Sequence, residues 1–466
     1  MGDKWIEVSL SEIAERIGDG LHGTPKYSEQ GKYHFINGNN LEDGVITIKE
    51  STKKVGFEQY TKHKKELNEN AILVSINGTI GNVALYNDEE IILGKSACYI
   101  NLKDNIHREF VAYVLTSFQF QEYIQRCATG STIKNVSLKM MREFAFRIPE
   151  DEVVQIDAVA TLKNIDLKIR LNRQTNQTIE QMAQALFKSW FVDFDPVFDN
   201  AFDAGLSVDD FPDELQHRAM LRQQHRSEAM KQDAEVMLRQ QTPQSNAVLQ
   251  PQNQQATQTE SERICGLFPS EFEQCDDPNI GINGWIPKGW AIKAFSELLD
   301  VKYGKDHKKL GDGNYPIYGS GGLMRYAENF LYAGESVLIP RKGTLTNIMY
   351  VNESFWTVDT MFYTIPKMDN IVKYMFYHLK TLDFLLMNVG SAVPSMTTKV
   401  LNALQIINPS NELLQKFDET INVFRRKRSS NQVNTENLVI LRDTLLPKLI
   451  SGELQLSETV QSIETK

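Results

Sequence analysis

DEVVQIDAVATLKNIDLKIRLNRQTNQTIEQMAQALFKSWFV, residues 151–192, and SNELLQKFDETINVFRRKRSSNQVNTENLVILRDTLLPKLISG, residues 410–452, carry one pattern twice. In the first, the marked positions are Ala158, Leu162, Ile165, Ile169, Asn172, Asn176, Ile179, Ala183, Leu186 and Trp190, in steps of four and three. In the second they are Phe417, Ile421, Phe424, Arg428, Asn431, Thr435, Leu438, Arg442, Leu445 and Leu449, at a constant offset of 259. A sustained four-three spacing is the seam of paired helices. Asn172 and Asn431 share a seam position, where a polar residue costs stability and fixes register. Forty residues of helix make a rod of roughly 60 Å.

The repeat extends outward from the helices. WIEVSLSEI from Trp5 matches WAIKAFSEL from Trp290, and ILVSINGTIGN from Ile72 matches VLIPRKGTLTN from Val337. GSTIKNVSLK from Gly130 matches GSAVPSMTTK from Gly390, and both copies pass through a proline, Pro149 and Pro409, into E-x-x-Q. The order is kept while the offsets drift, so loops differ in length over a common frame. Before each helix, β-branched and aromatic runs such as AILVSI, EIILGKSACYINL and GESVLIP read as strands. HREFVAYVLTSFQFQEYIQRC and NIVKYMFYHLKTLDFLLMNV read as helices. The expected class is α+β: two globules, 1–150 and 285–409, joined by two long antiparallel helices, 151–192 and 410–452, in a pseudo-twofold repeat. The segment 193–284 is expected to be an acidic, Gln-rich linker, since Gln216 to Glu262 holds no Phe, Trp or Tyr; the first half of that stretch is compatible with a solvated helix, the rest only with a linker. Residues 453–466 form a tail.

A chain of 466 residues exceeds one core. Its net charge of −10 argues against nucleic acid until the charges are located. Residues 193–284 hold 17 acidic and 6 basic side chains, whereas 285–409 hold 13 basic and 10 acidic. The remainder is therefore near neutral and able to present basic faces to phosphate. No apolar run reaches the roughly 18 residues a membrane span needs. The first residues, MGDKWIEVSLSEI, carry no signal pattern, so a cytoplasmic location is expected. Cys98, Cys127, Cys265 and Cys275 lack paired spacing and read as reduced thiols, with no metal site.

No catalytic motif emerges. Gly94-Lys95-Ser96 has Glu89 where a phosphate loop needs glycine. Asp195-Pro196-Val197-Phe198 lacks the second proline and the Gly-rich strand of an amino-methyltransferase loop. Base reading needs polar side chains on loops with cations around them. Matched loops supply them: Asn77 and Thr79 in the first copy, Arg341, Lys342 and Thr344 in the second. A second matched pair offers Ser131, Thr132, Lys134 and Lys139 against Ser391 and Lys399. Thr24, Lys26, Lys305 and the turn Tyr318–Gly322 are further candidates. Each has a plain reading beside it, a hairpin turn or a helix cap. No catalytic residue is assigned.

LNRQTNQTIEQMAQALFKSWFVDFDPV (171–197), the LFP…WIPKGW run at 267–290 and LRDTLLPKLISGEL (441–454) resemble type I restriction–modification specificity subunits over nearly the whole chain. The resemblance implies two target-recognition domains, one per half of a split site in double-stranded DNA. It implies two methyltransferase (M) subunits docked on helices and globules, with restriction/translocase (R) subunits joining later. No cofactor is expected on this chain, S-adenosylmethionine being held by the methyltransferase partner. The Gln-rich stretch at 216–262 departs from the family pattern. A pseudo-dimeric protein-binding scaffold is the alternative that the residues leave open.

Overall fold

The computed structural model describes residues 4–130, 133–240, 260–384, 386 and 395–454. The chain divides into two compact units, one of Met1–Gln174 with Asn431–Lys466, the other Thr175–Ser430. Both long helices, Glu152–Phe191 and Asn411–Ser451, contribute to each unit.

In the first unit, strand Trp5–Ser9 pairs antiparallel with Ala145–Pro149 and closes the globule at the point where the chain enters the long helix. A four-residue helix, Leu10–Ile13, follows, its start fixed by Glu12 accepting from the Ser9 N–H at 2.6 Å. The sheet runs Ala14–Asp19, Ala97–Leu102, Ala71–Ser75, Val83–Leu85. Ala71–Ser75 and Ala97–Leu102 are buried throughout, which explains their continuous apolar runs. A three-stranded sheet, Lys54–Val55, Tyr33–Ile36, Ile91–Leu93, completes the globule. The segment expected as one helix over 107–127 is two, Arg108–Thr116 and Phe118–Cys127. Ser117 separates them: its hydroxyl donates to the Val114 carbonyl and caps the second helix through Phe120 N–H.

The frame in this unit is antiparallel. Leu162 packs with Leu446 and Leu449, Arg442 bonds Asp166 at 3.1 Å, and Asn172 Nδ2 donates to Thr435 Oγ1 at 3.3 Å. Leu162, Ile165, Ile169, Asn172 and Asn431 are buried, while Leu438 and Leu445 are half-buried beside the more enclosed Leu446.

In the second unit, Ala291–Ala294 pairs with Gln405–Asn408 as Trp5–Ser9 does with Ala145–Pro149. Helix Phe295–Leu298 repeats Leu10–Ile13. A single six-stranded sheet follows the order Leu299–Tyr303, Met361–Pro366, Tyr332–Pro340, Met349–Thr357, Tyr315–Gly319, Gly322–Ala327. This is the first globule's order. There the counterpart of the unbroken strand Met349–Thr357 is split into Val83–Leu85 and Ile91–Leu93, and each piece keeps its own partner.

The frame portion of the second unit is aromatic. Phe187, Trp190, Phe191 and Phe417 bury together with Tyr374 and Trp290. Ring centroids lie 4.9 Å apart for Phe191–Tyr374 and 5.1 Å for Phe191–Phe417. Phe187, 1% exposed, takes the central place that the spacing gave to Leu186. Leu186, Ile179 and Phe424 are half-buried, and Ile421 is enclosed. A helix expected through 370–389 covers Ile371–Thr381 and stops at Leu382.

The expected linker is corrected. Helices Asp195–Asp203 and Asp213–Gln240 occupy its first part, and Phe194, Val197, Phe198, Phe211, Leu215 and Phe268 bury into the second unit's core. Arg218, Arg222 and Arg226 on one helix pair with Asp195, Asp199 and Asp203 on the other. Three of the segment's 17 acidic side chains are answered in this ladder by three of its 6 basic ones, and the phenylalanines that bury lie outside 216–262. The Gln-rich residues 241–259 lie outside the described set.

Replacing Phe187 by Ala removes a fully enclosed ring. Urea unfolding followed by fluorescence is expected to show a loss of about 3–5 kcal/mol. The His378 ring, set against Tyr374 and Phe187, is pushed by burial down to about 4 from an ordinary 6.5. The unfolded chain therefore takes up a proton first as pH falls. The neutral ring's contribution is complete above pH 6.5 and shrinks toward pH 4. Between pH 7 and 5, stability is expected to drop by about 2 kcal/mol through this group, and His378→Phe should flatten that part of the profile.

Candidate nucleic-acid interface

The candidate loops sit at corresponding ends of corresponding strands. Ala71–Ser75 leads into Ile76-Asn77-Gly78-Thr79, and Tyr332–Pro340 into Arg341-Lys342-Gly343-Thr344. Gly78 and Gly343 take φ of 77° and 86°, a left-handed turn that a Cβ would strain. The residue before each glycine forms an isolated antiparallel bridge to the later loop: Asn77 to Asn135, and Lys342 to Ser395. Val136 N–H donates to the Ile76 carbonyl at 2.8 Å, and Met396 N–H to that of Arg341 at 2.9 Å. Thus the two loop pairs matched in sequence become one bonded ledge in each globule.

The next loop joins in the same way. Lys95 N–H donates to Leu21 O at 3.0 Å, and Ile76 N–H to Ser96 O at 2.9 Å. In the second globule Lys305 N–H donates to Thr357 O at 2.9 Å, and Arg341 N–H to Thr360 O at 2.8 Å. Gly20 and Gly304 permit this approach: a Cβ would fall 2.2 Å from the Leu93 carbonyl oxygen and 2.0 Å from that of Val358. Extending the match from Trp5 and Trp290 brings these two glycines only to within one position of each other, so the sequence comparison does not single them out. The turn at Tyr318–Gly322 is tied to the second ledge by Asn347 Nδ2 on Ser320 O at 2.8 Å and Val358 N–H on Tyr318 O at 3.0 Å.

The side chains differ between the ledges. Asn77 is half-buried, with its amide on Asn135 Oδ1 at 3.0 Å, and Thr79 is exposed. Lys134 Nζ bonds Gln125 Oε1 at 2.5 Å, and Lys139 lies 3.7 Å from Glu143. Thr24 and Lys26 are exposed on the adjoining loop, the Lys26 N–H donating to Gln59 Oε1 at 3.2 Å. In the second globule the Arg341 guanidinium lies 5.3 Å over Tyr303 and donates to the Asp359 carbonyl at 3.2 Å. Lys305, Lys342, Thr344 and Lys399 are exposed, and among the described residues these three lysines make no ion pair. Ser137 and Thr397 cap the short helices that carry Lys139 and Lys399. Ser131, Thr132 and Ser391 lie outside the described residues. Lysines without ion pairs on glycine-shaped loops suit phosphate contact, and the amide, hydroxyl and guanidinium groups beside them are of the kinds that bond base edges.

Among the described residues, no group of three or more His, Cys, Asp or Glu could hold a metal ion. No helix there is long and apolar enough to cross a membrane.

The chain is 26% identical over 382 residues to the type I restriction enzyme HindI specificity subunit of Haemophilus influenzae, covering 74% of this chain and 77% of that protein. It is 23% identical over 441 residues to the MjaIX specificity subunit of Methanocaldococcus jannaschii, covering 93% and 87%. A crystal structure of the type I restriction-modification S subunit from M. genitalium shares the fold, with TM-score 0.50, 17% identity and 96% of each chain covered. The family profile for the type I restriction modification DNA specificity domain matches twice, over 2–181 and 287–434, each match taking in one ledge and part of one long helix. With most of its length so matched, the chain belongs to the type I restriction modification DNA specificity domain family.

Proposed function

We propose that this chain is the non-catalytic subunit that reads a bipartite DNA target, one half-site per globule. The carrying observation is that both ledges occupy one topological position on sheets of one strand order, yet present different side chains. A shared frame with unlike reading groups suits two unlike half-sites. In the first globule Asn77 and Thr79 serve base edges, with Lys134 and Lys139 on phosphate. In the second, Arg341 and Lys342 serve guanine edges or phosphate, with Lys305 and Lys399 on the backbone.

The remaining roles rest on the family. The long helices dock two methyltransferase subunits, which carry S-adenosylmethionine, and restriction subunits join afterwards. The helices also set the number of base pairs between the half-sites.

The test is a map of methylated sites in DNA exposed to this chain with its methyltransferase partner. Asn77→Ala is expected to relax one half-site and Lys342→Ala the other, each by about 1–3 kcal/mol of discrimination. Relaxation of both halves by either change would defeat the division of labour. Inserting one heptad at matched positions of both long helices should change the spacer and leave the half-sites intact. An unchanged spacer would remove the ruler role.

A further inference from the structure

The charge of the first globule is unevenly spread. Residues 26–65 hold eight lysines against five carboxylates, whereas the rest of 1–150 holds ten basic and fifteen acidic side chains. The basic excess therefore belongs to one part of the fold. That part is the edge strand Lys54–Val55, the loop laid over it and the helix Phe57–His63. The loop is pinned to the strand by Ser28 N–H on Lys54 O at 2.9 Å and by the Tyr27–Val55 bridge. Lys53, Lys54, Lys62 and Lys64 are exposed, and among the described residues none forms an ion pair. Lys64 lies 5.7 Å over the Tyr60 ring, which stacks on Tyr33 at 4.0 Å. Phe57, 69% exposed, stands in the same patch.

The second globule repeats the arrangement with different residues. Its edge strand is Gly322–Ala327, and Arg325 on that strand donates to the carbonyls of His307 at 2.8 Å and Leu310 at 3.0 Å. Those bonds fix the loop that carries Lys308 and Lys309, both exposed and without ion pairs among the described residues. Two sequences that have drifted apart thus keep a loop bonded across the same edge strand, with lysines directed to solvent.

We infer that this loop-and-edge-strand face of each globule is a second DNA surface, a track for the phosphodiester backbone flanking the base pairs read by the ledge. Lysines act there as point charges, so the track adds affinity without sequence preference. A cluster of lysines without ion pairs, in a globule whose other residues are net acidic, is the footprint of a polyanionic backbone. The inference rests on the DNA-reading role proposed above.

The test uses the full chain assembled with its methyltransferase partner. Lys53, Lys54, Lys62 and Lys64 are changed together to Gln, and Lys308 with Lys309 in a second variant. Duplex affinity is measured from about 50 to 200 mM salt, beside a methylated-site map and a thermal melt. The expected result is an unchanged map and melt, with affinity down roughly tenfold or more and a shallower log–log salt slope, by about one for each phosphate no longer neutralised. An unchanged affinity and slope would overturn the track. So would a changed methylation sequence, which would make these lysines readers, or a failure of methyltransferase assembly, which would make the face a protein dock. Wild-type complex with no salt-dependent duplex binding would instead overturn the underlying DNA-reading role.

Discussion

A forty-residue helix with one narrow apolar stripe gains too little alone in water to hold its form, so its stripe must be covered. In each unit the cover is the other long helix, running antiparallel. In the first unit Leu162, Leu446 and Leu449 interlock, then give way to Asn172 and Thr435. In the second, Phe187, Trp190 and Phe191 close over Phe417, and Glu180 accepts from Lys380 and Arg428. Burial works to raise the Glu180 carboxyl, but the Gln184 hydrogen bond and the two cations outweigh it and hold it below the usual carboxylate range. The polar contacts restrict the pairing to one register, since any slip would strand a buried amide or charge.

Each globule is tied to this frame by polar groups, half-buried in the first and buried in the second, as well as by apolar packing. Tyr113 donates to Asp166 at 2.6 Å, and Arg442 meets the same carboxylate. Lys373, 2% exposed, bonds Glu335 at 2.6 Å on the sheet and Asp418 at 2.7 Å on the long helix. Tyr350 donates to Glu335 at 2.7 Å and lies under the Arg425 guanidinium. Such a network contributes little net stability against a well-packed apolar substitute, but each member is satisfied in only one arrangement. A reading module whose loops must meet defined base edges benefits from that restriction.

The ledges were legible in part. Matching INGT with RKGT found the two turns because a glycine in the left-handed region leaves a mark that drift does not erase. The matched G-S loops were found as separate features, and their union with the turns was not. Asn77–Asn135 and Lys342–Ser395 are pairings across more than fifty residues, and nothing in local spacing encodes them. Within 193–284 it is the beginning, not the Gln-rich stretch, that departs from a linker, because a composition averaged over the whole segment hides its phenylalanines. FVDFDPVF at its start is core sequence, and its acidic residues answer arginines some twenty residues later.

By itself the sequence determined the duplication, the two long helices, the strand runs and the placement of polar loops after them. All of these follow from short-range periodicity, or from comparing the chain with itself. Tertiary structure alone decided that Phe187 and not Leu186 fills the second unit's seam, that the expected linker closes a core, and that one strand order serves both globules. It also decided which lysines stand free on an edge strand and which are held by a neighbour. Those outcomes depend on which side chains far apart in sequence compete for the same volume or charge, and such competition exists only once the chain is folded.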